Sequence, residues 1–158
     1  MRKPFITLIF VFAAATCWAV STEWKMFDSG RFAILMPQPP RPAANSQWVS
    51  MDPQGRAYNA SSGYLTDPPK KAQDYFDQTV ETAVEGTHGR LLYKKYLKVQ
   101  GLPACEFKLT DGKHVVGGRL ILDKTWVYIL EFATDNKSFD TSLMKKFFDS
   151  FHINEPGK

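Results

Sequence analysis

Two stretches of the chain repeat their apolar residues with the period of a helix, and most of the remainder alternates as strands do. Between Asp67 and Gly86, Ala72, Tyr75, Phe76, Thr79, Val80, Ala83 and Val84 fall on one side of a helical spiral. Asp67 is suited to cap the start, Pro68 tolerates the first helical position and Gly86 suits a left-handed stop, so a helix is predicted over 67–86. A second helix is predicted from Asp140 to about Ser150, where Leu143, Met144, Phe147, Phe148 and Phe151 form an apolar stripe.

Strands are predicted before the first helix. Trp24–Phe27 and Arg31–Met36 flank the turn Asp28-Ser29-Gly30, and Trp48–Met51 and Arg56–Leu65 flank Asp52-Pro53-Gln54-Gly55. Between these pairs, Pro37 to Pro42 is rich in proline, which cannot join a sheet interior and predicts an extended surface link. Four more strand candidates lie between the helices.

Two tight turns set a register for the last of them. A two-residue turn at Asp111-Gly112 places Leu109 opposite His114, Phe107 opposite Val116 and Cys105 opposite Gly118. A turn at Asp123-Lys124 places Gly118 opposite Ile129, Val116 opposite Glu131 and Arg119 opposite Tyr128. Both faces of the resulting sheet carry apolar residues, so both need cover, and the two helices are expected on opposite sides. The fold class expected is α+β: an α/β/α sandwich around a mainly antiparallel sheet of six or seven strands.

Composition adds compartment. The chain has 158 residues, 44% of them hydrophobic, with a formal net charge of +4. This is enough for one ordinary core, and it excludes a disordered or collagen-like chain. Arg2 and Lys3 precede the uncharged run Phe5–Ala15, and Cys17-Trp18-Ala19 offers small residues at the cleavage positions. Residues 1–19 are therefore expected to be a cleavable signal peptide and residues 20–158 a single domain, periplasmic or secreted. A lipid-anchored alternative would use Cys17, although Ala14-Ala15-Thr16 is a poor lipoprotein box. Cleavage removes two of the 20 basic residues and halves the net charge. It also leaves Cys105 as the only cysteine, read as a buried small hydrophobe.

Candidate chemistry emerges only through the expected register. His114 and Glu131 would lie diagonally across neighbouring strands, either as an acid/base pair in a pocket or as a mutually satisfied polar pair. On the other face Glu106, Arg119 and Tyr128 would be neighbours, with Arg119 gripping an anion or a partner's carboxylate, or else pairing with Glu106 and stacking on Tyr128. His88, His114 and His152 fall in no metal-binding spacing, and no nucleophile elbow or phosphate-cradling loop is present. No metal, cofactor or catalytic residue is expected. Lys94, Tyr96 and Lys98, with Lys95 and Arg90, form the most basic stretch. In an exported protein this suits the solvated face of an exposed or edge strand, an acidic partner or an anionic lipid surface better than nucleic acid.

Several segments carry a resemblance. Phe32-Ala33-Ile34-Leu35-Met36-Pro37, Val99-Gln100-Gly101-Leu102-Pro103-Ala104-Cys105-Glu106-Phe107, Arg119-Leu120-Ile121-Leu122 with Val127-Tyr128-Ile129-Leu130, and Phe147-Phe148-Asp149-Ser150-Phe151 resemble the PsbP-like family. The resemblance implies an antiparallel sheet between helices and an accessory or binding role rather than an enzyme. It transfers no catalytic residue, since the matched positions are glycines, prolines and core aromatics. The function expected is that of a monomeric exported module binding a protein partner in the envelope, with a small-ligand protein or hydrolase around His114 and Glu131 as the alternative.

Overall fold

The computed structural model describes residues 23–37, 39–43 and 46–154. The expected signal peptide and Cys17 lie outside the described residues. In chain order the elements are β1 (Trp24–Asp28), β2 (Phe32–Pro37), β3 (Arg41–Ala43), β4 (Gln47–Met51), β5 (Ala57–Tyr64), α1 (Ala72–Gly86), β6 (Arg90–Val99), β7 (Leu102–Thr110), β8 (His114–Asp123), β9 (Trp126–Asp135), α2 (Thr141–Asp149) and β10 (His152–Ile153). Seven strands form one sheet in the order β3-β4-β5-β9-β8-β7-β6, and β1-β2-β10 form a small second sheet. Every pairing is antiparallel.

The two faces of the large sheet build two cores. On one, Tyr58, Ala60, Ile121, Tyr128, Leu130 and Phe132 pack against Phe32, Ile34 and Met36 of the small sheet and Met144, Phe147 and Phe148 of α2. On the other, Cys105, Phe107, Leu109, Val116, Leu120 and Val127 pack against Phe76, Val80 and Ala83 of α1. The α/β/α sandwich is thus observed, with the small sheet sharing the α2 layer. Gly117 and Gly118 explain how close the layers come. A Cβ at Gly117 would collide with Met144 Sδ, and one at Gly118 would collide with the Phe107 ring. Among the described residues no helix is long and apolar enough to cross a membrane.

Four local expectations are corrected. The first helix starts at Ala72 rather than beside Asp67, and its N-cap Lys71 makes no side-chain capping bond. Pro68 and Pro69 push the residues before them into extended backbone, so no helix nucleates there. The left-handed residue after the helix is His88 (φ 50°), two positions beyond Gly86. The proline segment is not wholly a link: Pro37 ends β2, and Pro42 lies in β3, an exposed edge strand where a missing N–H is tolerated.

The fourth correction matters for the site. Both hairpins pair two residues away from the expected register: Leu109 faces Val116, Glu106 faces Arg119, Gly118 faces Glu131 and Arg119 faces Leu130. At the first turn Asp111 Oδ1 accepts from the N–H groups of Lys113 and His114, which lengthens the connection beyond two residues. At the second, Lys124 adopts φ 52° and the turn closes on Asp123 opposite Trp126. Because side chains alternate with period two, an even slip leaves every residue on its expected face but changes its neighbours.

Candidate functional site

The register brings Glu106 and Arg119 directly opposite each other on adjacent strands, on the face covered by α2. Glu106 Oε2 accepts from Arg119 Nε at 3.0 Å and Nη2 at 2.6 Å, while Oε1 accepts from the Tyr93 hydroxyl at 2.9 Å. Arg119 Nη2 also donates to Asp149 Oδ1 at 3.0 Å, and the guanidinium carbon sits 5.0 Å from the centre of the Phe148 ring. Burial acts to raise the Glu106 carboxyl, but the bonds from Arg119 and Tyr93 outweigh it and hold it below its ordinary value. This is a closed network: each charge already has its counter-charge.

Of the two roles expected for Arg119, the pairing with Glu106 is the one observed, on a face that is covered rather than open. Glu106 and Arg119 are each only 6% exposed and Tyr128 is 1% exposed. Tyr128 lies opposite Ile121, not Arg119, and packs on Phe32 and Phe151. The ring beneath Arg119 is instead Phe148 of α2. The C-terminal turn of α2 covers the very region that the strands alone would have left open.

The expected His114 and Glu131 couple is not formed. His114 faces Asp135, four positions beyond Glu131 on β9 and roughly 13 Å away along the strand. His114 Nδ1 lies 2.9 Å from Asp111 Oδ2, within its own turn, and this bond together with backbone N–H groups holds the Asp111 carboxyl down at about 2. Glu131 pairs with Asn59 of β5, whose Nδ2 donates to Oε2 at 2.6 Å. Glu131 Oε1 and Asn59 Oδ1 are both buried without a partner among the described residues. Burial pushes the Glu131 carboxyl up to about 7, against the one bond from Asn59. A proton on this acid lets it donate as well as accept, which suits a couple with two unanswered acceptors.

Glu106, Arg119, Asn59 and Glu131 are all buried. A surface depression at the start of α2 is lined by Arg56, Lys137, Phe139, Asp140 and Lys145 among others, and includes neither His114 nor Glu131. Two of its cations are engaged: Arg56 with Asp52 and Lys145 with Asp149. Asp140 fills the helix N-terminus by accepting from the N–H groups of Ser142 and Leu143. Among the described residues no group of three or more His, Cys, Asp or Glu side chains is placed to share a metal ion. Cys105 is fully buried, and burial raises its thiol to about 11, in keeping with a core role.

The accessible feature is β6. It is one of the two terminal strands of the large sheet, at the opposite end from β3, and exposes Leu91 (40%), Leu92 (42%) and Tyr96 (45%). Its sequence RLLYKKYLKV holds Arg90, Lys94, Lys95 and Lys98 and no acidic residue. Lys94 Nζ donates to Asp77 Oδ1 of α1 at 2.5 Å, and the Tyr96 hydroxyl donates to the same oxygen. Lys95 Nζ lies 3.8 Å from Glu106 and is mostly in solvent. The register slips at Leu91/Tyr93, so Leu92 is the extra residue of a bulge that twists the strand. The alternation of Lys94, Tyr96 and Lys98 was visible in the sequence. An exposed or edge strand was expected there, and β6 is one; the leucines exposed beside it were not anticipated.

The chain matches no family profile and no curated protein. Its architecture, however, has solved counterparts: an α+β sandwich of this layering and topology defines the PsbP-like fold. Cyanobacterial PsbP from Synechocystis sp. PCC 6803 superposes with a TM-score of 0.65 at 14% identity, over 89% of this chain and 98% of that one. Protein PA94, of unknown function, from Pseudomonas aeruginosa gives 0.58 at 12% identity over 85% and 99%. A point mutant of protein Mog1 gives 0.57 at 11% identity over 83% and 96%. The fold inferred from the residues is therefore shown, and at these identities the likeness concerns the fold alone.

Proposed function

We propose that this chain is an exported, non-enzymatic binding module that docks a protein partner in the cell envelope through the edge of β6. The observation that carries the reading is the joint exposure of Leu91, Leu92 and Tyr96 on one terminal strand. Apolar side chains gathered at a sheet edge, beside unpaired backbone groups, favour association with another chain. Export is supported by the basic start and apolar run of residues 1–15 followed by the small residues around Ala19. With the Glu106 and Arg119 network closed, this reading assigns the partner to the edge of β6.

A photo-crosslinking residue at Leu92, in the full chain expressed in its native envelope, tests this. A reproducible adduct from Leu92, absent when the same group replaces Met26 on the small sheet, is the expected result. Equal capture from both positions, or none from Leu92, overturns the docking surface.

A further inference from the structure

The geometry points to a strand-addition site: we infer that β6 pairs, through its outward backbone groups, with an extended acidic segment of the partner. This inference rests on the docking surface proposed above and specifies what sits on it.

The hairpin joining β6 to β7 determines which backbone groups are free. Gln100 (φ 52°) and Gly101 (φ 81°) both adopt the left-handed region, and Val99 lies opposite Leu102. Such a two-residue turn makes Val99 and Leu102 a pair that exchanges both backbone bonds. Alternation then turns the N–H and C=O groups of Leu97, Lys95 and Tyr93 towards β7 and leaves those of Lys94, Tyr96 and Lys98 pointing away from the sheet. Among the described residues no strand lies beyond β6 to receive them. The outward groups thus belong to the alternating basic and aromatic positions, where an added strand would find donors, acceptors and side chains in one row.

Charge selects the occupant. Asp77 already answers Lys94, whereas Lys98 has no ion-pair partner among the described residues and Lys95 extends past Glu106 into solvent. An added antiparallel strand would place residues directly opposite Lys98, Tyr96 and Lys94 on the α1 side, and one opposite Lys95 on the α2 side. Acidic residues opposite Lys98 and Lys95, flanking an apolar residue opposite Tyr96, complement this row. A second copy of β6 does not: aligned antiparallel on Tyr96, it sets Lys94 of one chain against Lys98 of the other, twice. A basic segment is excluded on the same ground.

Selection of the full domain against a displayed library of random decapeptides, followed by amide hydrogen exchange on the best binder, tests the inference. Enrichment of peptides with acidic residues around an alternating apolar position is expected. The bound peptide should slow exchange at Lys94, Tyr96 and Lys98 at least tenfold, while Tyr93, Lys95 and Leu97, already bonded to β7, change little. Lys98→Glu should weaken binding at least tenfold, and Tyr96→Pro, which deletes an outward N–H together with the ring and the hydroxyl that donates to Asp77, should abolish the protection, whereas Tyr96→Phe, which loses only the hydroxyl, should keep it. If Tyr96→Pro does not fold, Lys98→Glu and the exchange pattern still decide. Enrichment of neutral or basic peptides, binding without slowed exchange at the three residues, or binding only to vesicles of anionic phospholipid overturns the strand-addition site. If the Leu92 adduct forms while these outcomes fail, the docking surface stands and its acidic strand partner does not; if both fail, neither stands.

Discussion

Glu106 and Glu131 are both buried acids on the same sheet, separated by one strand, and they have opposite chemistry. Glu106, on the α2 face, is answered by Arg119, Tyr93 and the fringe of Lys95, and its carboxyl is held ionised. Glu131, on the α1 face, has only the Asn59 amide, and its carboxyl is pushed up to about 7. Burial acts on both in the same direction, so the neighbours decide the sign. A guanidinium recovers the energy lost on leaving water, whereas one neutral amide bond does not.

The largest break in this comparison is Arg119→Met, which leaves Glu106 buried with only Tyr93 and Lys95 and strips Asp149 of one partner. Removing one side of a buried pair costs about 3–5 kcal/mol, so the urea midpoint should fall sharply. A loss under about 1 kcal/mol would show that the network does not hold α2 to the sheet.

The Glu131 side of the comparison is read through pH. Unfolded, this acid titrates near its ordinary 4.5, and in the fold it keeps its proton up to about 7. Folding therefore takes up a proton between these values. The contribution is full below 4.5 and is lost as pH rises through 7, about 3 kcal/mol in all. Glu131→Gln keeps the bond from Asn59 and supplies a permanent N–H donor. The variant should be flat over this window and more stable than the parent by about 2–3 kcal/mol at about pH 8. Parallel stability curves for the two proteins would sink the assignment of a neutral acid.

Lys95→Ala removes the outermost member of the Glu106 network, an exposed lysine 3.8 Å from its carboxylate. An exposed pair is worth about 0–1 kcal/mol, so stability should change by less than about 0.5 kcal/mol. Crosslinking and peptide selection at β6 are where this residue should register.

Faces were legible in the sequence and neighbours were not. The alternation of Ala104, Glu106 and Lys108 against Cys105, Phe107 and Leu109 assigned each residue to its side correctly, because the hairpins slipped by two rather than one. The Asp140 cap and the Leu143–Phe151 stripe located α2 to within a residue or two. The start of α1 was missed because Asp67 looked like a cap while Pro68 and Pro69 forbade the turn that would use it. Asn59 went unnoticed as a partner of Glu131, 72 residues away, since only the insertion of β5 beside β9 pairs them.

Periods of the backbone are local properties, so the order of residues by itself determined the two helices and the antiparallel sheet buried on both faces. Resemblance to PsbP-like proteins carried the same architecture, and the superpositions show it. Which charges remain accessible was decided only by tertiary structure. Packing the last turn of α2 over Arg119 closed one candidate surface, and ending the sheet at β6 left another open. Accessibility depends on which distant elements cover a residue, and that is settled when the layers close around the core.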